Sequence, residues 1–178
     1  MKKEILIAGF GGQGALSIGK NIVEAGLAEG LNVTWAPSYG PEMRGGTANC
    51  SVVVSDKMVG SPVFTYSDDL IAMNGPSLDK FAPFVKEGGR IFVNSSVVDY
   101  KYEREGVTVY YIDSDNISHN LGNRKASNMV MLGAYVAATK IVKPETIEKM
   151  IEEIFTGKKA ALVPLNIDAF HAGMDLIK

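Results

Sequence analysis

One cysteine and two histidines occur in a chain of 178 residues, and each scarcity removes a class of function. With Cys50 alone there is no internal disulfide. A single thiolate cannot hold an iron–sulfur cluster, which generally takes four, so any such redox centre belongs to another chain. Neither His119 nor His171 stands at a metal-ligand spacing, and no G-x-S-x-G elbow or Cys-His pair is present. Long apolar runs are missing as well: nothing approaches the roughly 20 residues that span a bilayer. The opening Met-Lys-Lys-Glu leads straight into a short apolar segment rather than a signal-peptide pattern, so a cytoplasmic protein without a membrane partner is expected. Charge of one sign is also lacking. Lys and Arg number 18 against 20 Asp and Glu, a net charge of −2, and no basic stripe offers the counterion exchange on which nucleic-acid binding depends.

What the chain does have is apolar material. Hydrophobic residues make up 46% of it, enough at this length for one filled core, and the expectation is a single domain over residues 1–178. Glu4 to Ala8 is a short apolar run stopped by glycines and reads as a buried strand. Gly14 to Glu29 carries Ile18, Ile22, Ala25 and Leu27 at helical spacing, Gly30 closes it, and Leu31 to Trp35 reads as a second strand ending at Trp35-Ala36-Pro37. This opening predicts a parallel βαβ unit with a right-handed crossover. Thr47 to Ser55, Leu70 to Met73, Arg90 to Asn94 and Val107 to Ile112 are further strands. Ala126 to Thr139 is a helix apolar nearly all round, to be buried in its own core or against a partner. Pro144 to Phe155 is an amphipathic helix, stopped at Gly157, and a last helix begins near Asn166 after Pro164. Asp113 to Arg124 reads as a loop. The fold class that follows is a three-layer α/β/α sandwich around a central, mostly parallel but mixed sheet, Rossmann-like at its start.

Chemistry concentrates at two glycine-rich segments. Gly9-Phe10-Gly11-Gly12-Gln13-Gly14 has G-x-G-x-x-G spacing directly after a strand and at the start of a helix. Backbone N–H groups there approach a phosphate, and the helix N-terminus adds a partial positive charge. The same glycines would equally serve a plain strand-to-helix turn. A dinucleotide enzyme would carry an Asp or Glu at the end of the second strand to hold ribose hydroxyls, and Trp35-Ala36-Pro37 has none, which counts against NAD. The second segment, Ser38 to Gly46, follows the second strand and falls on the same carboxyl edge of the sheet. Within it Arg44 offers either a bidentate fork for a carboxylate or phosphate, or a surface pair with Glu42. The candidate binding residues are thus Gly9, Gly11, Gly12, Gln13, Gly14 and Arg44. Cys50 reads as a packed core thiol, His171 as a packing or capping residue of the last helix, and Asp68 and Asp69 as turn residues before a strand.

Four motifs occur in series: Gly9 to Gly14, Tyr39-Gly-Pro-Glu-Met-Arg-Gly-Gly46, Met73-Asn-Gly-Pro-Ser-Leu-Asp-Lys-Phe81 and Ser127-Asn-Met-Val-Met-Leu-Gly-Ala134. Together with the closing Asn166 to Gly173 they resemble the gamma subunit of 2-oxoacid:ferredoxin oxidoreductases over nearly the whole chain. The resemblance implies a domain that assembles with alpha and beta subunits, and often a ferredoxin-like delta subunit, and that is inactive alone or forms a homodimer when isolated. It implies that those partners hold thiamine diphosphate with Mg2+ and the iron–sulfur clusters. The family decarboxylates a 2-oxoacid, passes electrons to ferredoxin and hands the acyl group to coenzyme A, and this chain resembles the part beside the coenzyme A site. Pro41 to Gly46 looks more like the 2-oxoglutarate and branched-chain members than the pyruvate members. The competing expectation is a free-standing Rossmann-type nucleotide-binding protein or NAD(P) oxidoreductase, motivated by the glycine turn.

Overall fold

A computed structural model describes residues 1–40 and 46–178. The described residues form one six-stranded sheet from β1 (Lys2–Phe10), β2 (Asn32–Tyr39), β3 (Thr47–Ser55), β4 (Ser67–Ala72), β5 (Val85–Asn94) and β6 (Thr108–Ile112), in the order β2-β3-β1-β4-β5-β6. β1, β4, β5 and β6 run parallel, and β3 runs antiparallel to both β1 and β2. The sheet is therefore mixed and mostly parallel, as the sequence predicts.

The opening unit needs a correction. β1 and β2 point the same way, but they do not pair, because β3 lies between them. Residues 40–46 are too short a connection for a parallel crossover, so the chain returns antiparallel and β3 takes the place beside β1. β2 also continues past Pro37 to Tyr39. Pro37 is tolerated there because β2 is an edge strand whose missing N–H leaves no neighbour unpaired. Asp68 and Asp69 lie within β4 rather than in a turn, and they do face opposite sides. Asp68 accepts from Lys86 and from the Glu4 backbone, whereas fully buried Asp69 accepts from Arg90 Nε and the Tyr135 hydroxyl, each at 3.0 Å.

Helices cover the two faces unequally. α1 (Ala15–Ala28), α3 (Ser114–Asn120), α4 (Ser127–Thr139), α5 (Pro144–Ile154) and α6 (Val163–Asp175) lie over one face, where Ile5, Ile7, Cys50, Val52, Ile71 and Phe92 meet them in the main core. The other face carries α2 (Gly75–Phe81) and the 3₁₀ turn Ala82–Phe84, packed on Leu70, Ala72, Ile91 and Val93. The sandwich is three-layered but thin on that side. α4 settles the alternative posed by its composition: Met129 to Val136 are buried by this chain itself. It reaches that depth because it crosses α6 at two glycines. A Cβ on Gly133 would stand 1.9 Å from the Phe170 carbonyl oxygen, and one on Gly173 would stand 1.9 Å from that of Val130.

α6 starts at Val163, three residues before the predicted place, since Pro164 belongs inside its first turn. Pro144 opens α5 as expected, and the helix ends at Ile154, before Gly157. The predicted loop Asp113 to Arg124 contains α3, whose start is tied down by Ser96 Oγ accepting from the Asp115 N–H at 3.0 Å. His171 neither packs nor caps: its ring is exposed, with Nε2 2.6 Å from Glu148 Oε1 in a surface pair across the α5–α6 contact.

Candidate functional site at the glycine turn

The turn from β1 to α1 sits at the carboxyl edge of the parallel strands, where ligands of open α/β sheets bind. Its glycines have separate jobs. Gly9 leaves room for the Gln13 side chain and Met73, since a Cβ would lie 2.9 Å from Gln13 Oε1 and 2.9 Å from Met73 Cβ. Gly11 donates its N–H to the Gly46 carbonyl at 2.8 Å, joining the turn to the start of β3. Gly12 and Gly14 adopt φ of 96° and 81°, a region that favours glycine. A Cβ on Gly12 would meet open space, whereas one on Gly14 would stand 2.7 Å from Asn128 Cβ at the start of α4.

Gln13 holds the turn in shape. Its Oε1 accepts from the Phe10 N–H at 2.7 Å and from Asn74 Nδ2 at 2.9 Å, and its Nε2 donates to the Met73 carbonyl at 3.1 Å. Asn74 in turn caps α2 by accepting from the Ser77 N–H at 2.9 Å. The amide of Gln13 is thus engaged by its own chain, and the parts of the turn open to a ligand are backbone.

Two pockets flank the turn and share Gly12 as a wall. The first, about 300 Å³, is lined by Phe10, Gly11, Gly14 to Ser17, Tyr39 and Ala48. α1 begins there with no side-chain cap and no acidic residue in its first turn. The leading N–H groups of a helix have no intrahelical acceptor, so this start offers several donors and a partial positive charge to an anion. The second, about 280 Å³, is lined by Gly12, Gln13, Asp115, Arg124, Lys125 and Ser127. The structure therefore brings Gly9, Gly11, Gly12, Gln13 and Gly14 together, while Arg44 lies outside the described residues.

Cys50 is fully buried behind α1, its Sγ 3.8 Å from the Ala15 carbonyl, and burial pushes its thiol up to about 12. The chain offers no thiolate set for a cluster, and among the described residues no three His, Cys, Asp or Glu side chains gather to hold a metal ion. Nor does β2 supply the ribose-binding acid of a dinucleotide fold: residues 32–39 contain no carboxylate, and β3 occupies the place beside β1 where that strand would lie. Among the described residues no helix is long and apolar enough to cross a membrane.

With this geometry in place, residues 4–176 match the pyruvate ferredoxin/flavodoxin oxidoreductase family. The chain belongs to that family. It is similar to the ketoisovalerate oxidoreductase subunit VorA of Methanothermobacter marburgensis, 38% identical over 172 residues, covering 96% of this chain and 36% of the relative. It is also 34% identical over 182 residues to the 2-oxoglutarate synthase subunit KorC of Methanocaldococcus jannaschii, covering 100% of this chain and 95% of that one. The chain thus spans about a third of the length of VorA but nearly all of KorC. Among solved structures it resembles the keto/oxoacid ferredoxin oxidoreductase gamma subunit of Geobacter sulfurreducens, with TM-score 0.83, 32% identity and coverage of 98% and 97%. It also resembles the 2-oxoglutarate:ferredoxin oxidoreductase of Magnetococcus marinus solved with 2-oxoglutarate, coenzyme A and succinyl-CoA, with TM-score 0.89, 26% identity and coverage of 98% of this chain and 31% of that one. The family resemblance read from the four motifs stands, and a free-standing dinucleotide oxidoreductase is not favoured.

The glycines and the brace Gln13 are readable in the sequence, but the residues packed around them are less so. Asn74 was legible as a helix cap, since Asn before Gly75-Pro76 is a start signal. Asn128 lies in the Ser127 to Ala134 motif, where nothing local signals its contact with Gly14. Asp115, Arg124 and Lys125 had no local signal, because only the fold carries α3 and α4 back to the turn.

Proposed function

We propose that residues 1–178 act as one gamma-type domain of a thiamine diphosphate-dependent 2-oxoacid:ferredoxin oxidoreductase of the 2-oxoglutarate or branched-chain type, working in the cytoplasm. Alpha and beta subunits, with a delta subunit where present, hold thiamine diphosphate, Mg2+ and the iron–sulfur clusters, which supply decarboxylation and electron transfer to ferredoxin. The part taken by this chain is to receive coenzyme A. The observation that carries this reading is the uncapped start of α1 beside a pocket of about 300 Å³ walled by glycine backbone. Its N–H groups suit the diphosphate of the coenzyme, a ligand that needs no acid on β2. Gly12, with its positive φ and open space where a Cβ would stand, keeps that backbone uncovered, and Gln13 fixes its shape from behind. Arg44, on the adjoining segment, adds a cation for the same anion or for a partner subunit.

The test is Gly12→Val in the assembled complex, comparing the coenzyme A dependence of turnover with 2-oxoacid decarboxylation in its absence. The expected result is at least a tenfold rise in KM for coenzyme A, the size of one lost charge-assisted contact, with a much smaller change in decarboxylation. Equal loss of both would make the turn purely structural.

A further inference from the structure

The second pocket has a different chemistry from the first. The glycine pocket has no charged side chain in its lining, whereas its neighbour across Gly12 presents a carboxylate and two cations together. Asp115 is half-buried, and its Oδ1 accepts from Ser127 Oγ and, at 3.2 Å, from Asn94 Nδ2. Those contacts fix the carboxylate and leave its other oxygen for a hydroxyl donor. Arg124 and Lys125 form the preceding 3₁₀ turn, shaped by the Asn123 side chain accepting from the Lys125 N–H at 2.9 Å. Both side chains are exposed, and among the described residues neither forms an ion pair.

A lone phosphate would meet repulsion from Asp115, and a plain sugar would leave two cations unused. A ribose that carries a monoester phosphate beside a free hydroxyl satisfies both, with the hydroxyl donating to Asp115 and the dianion taken by Arg124 and Lys125. We propose that the pocket of Asp115, Arg124, Lys125 and Ser127 selects the 3′-phosphorylated ribose of the coenzyme, so that this subunit distinguishes coenzyme A from its dephospho form. Residues on opposite sides of Gly12 then divide the coenzyme, with the diphosphate on the backbone of α1 and the phosphorylated ribose between α3 and α4. The inference deepens the coenzyme reading above and rests on it.

The experiment uses the intact anaerobic complex, with coenzyme A and dephospho-coenzyme A as alternative acceptors. In the unaltered complex kcat/KM is expected to favour coenzyme A. Arg124→Ala is expected to lower the ratio of the two kcat/KM values about tenfold, the usual worth of a charge-assisted contact, and Arg124→Lys to restore much of it. Calorimetry with adenosine 3′,5′-bisphosphate gives a readout independent of turnover, and its affinity should fall in Arg124→Ala. An unchanged ratio overturns the proposal. If Gly12→Val still raises the coenzyme A KM in that case, the coenzyme reading survives without this pocket. If neither variant affects coenzyme use, both are lost.

Discussion

Glycine appears in two places of this molecule for opposite reasons. At the α4–α6 crossing, Gly133 and Gly173 let two helices touch through their backbones in the interior, each against a carbonyl of the other helix. At the β1–α1 turn, Gly12 leaves backbone uncovered at the surface, where a Cβ would meet open space. The first pair fills space and Gly12 keeps it empty. The core therefore tolerates no added atom at the crossing, while Gly12 has room for one, at a cost to the ligand site more than to the packing.

Gly133→Ala, on the core side, should have the greatest consequence. With no room for a methyl group the helices must separate, and the loss of stability should be about 3 kcal/mol or more, read from the denaturant midpoint. Gly14→Ala comes next. Its positive φ alone should cost about 1 to 2 kcal/mol, and the clash with Asn128 should loosen the start of α1 from that of α4. A loss there as great as at Gly133 would erase the distinction between the two sites.

The thiol behind α1 sharpens the same contrast. Cys50 lies where a Cβ on Gly19 would stand 2.5 Å from its sulfur, so it is a packing group. It should stay unreactive to a thiol-specific disulfide reagent at pH 8 in the native chain and react promptly in denaturant. Rapid native reaction would mean that α1 opens easily.

The smallest effect lies at the far end of the sheet. Partial burial works to raise the Glu4 carboxyl, but hydrogen bonds and charge from Lys2 and Lys86 outweigh it and lower its pKa below 4.5. Its contribution is therefore fully present above pH 4.5 and is lost as the pH falls through the lower folded value. Glu4→Gln should flatten the acid limb of stability by less than about 1 kcal/mol. A steeper limb in the variant would contradict this sign.

Much of the fold was legible because its signals are local. Apolar runs gave the strands, and Thr47 to Ser55 was placed residue for residue. The insertion of β3 beside β1 was not legible, since periodicity says nothing about which strand pairs with which; only the shortness of residues 40–46 pointed that way. Of the site, Gly9 to Gly14 was readable from spacing alone. Its second half was not, because Asp115, Arg124 and Lys125 reach the turn through the packing of α3 and α4, which no short-range pattern encodes.

Native affinity purification of this chain from its own cells under anaerobic conditions asks whether it works as one subunit of a larger redox enzyme. Recovery of thiamine-binding and cluster-binding subunits is expected, with a brown eluate and 2-oxoacid-dependent ferredoxin reduction that requires coenzyme A. A colourless chain recovered without partners, binding NAD in calorimetry, would contradict the subunit role.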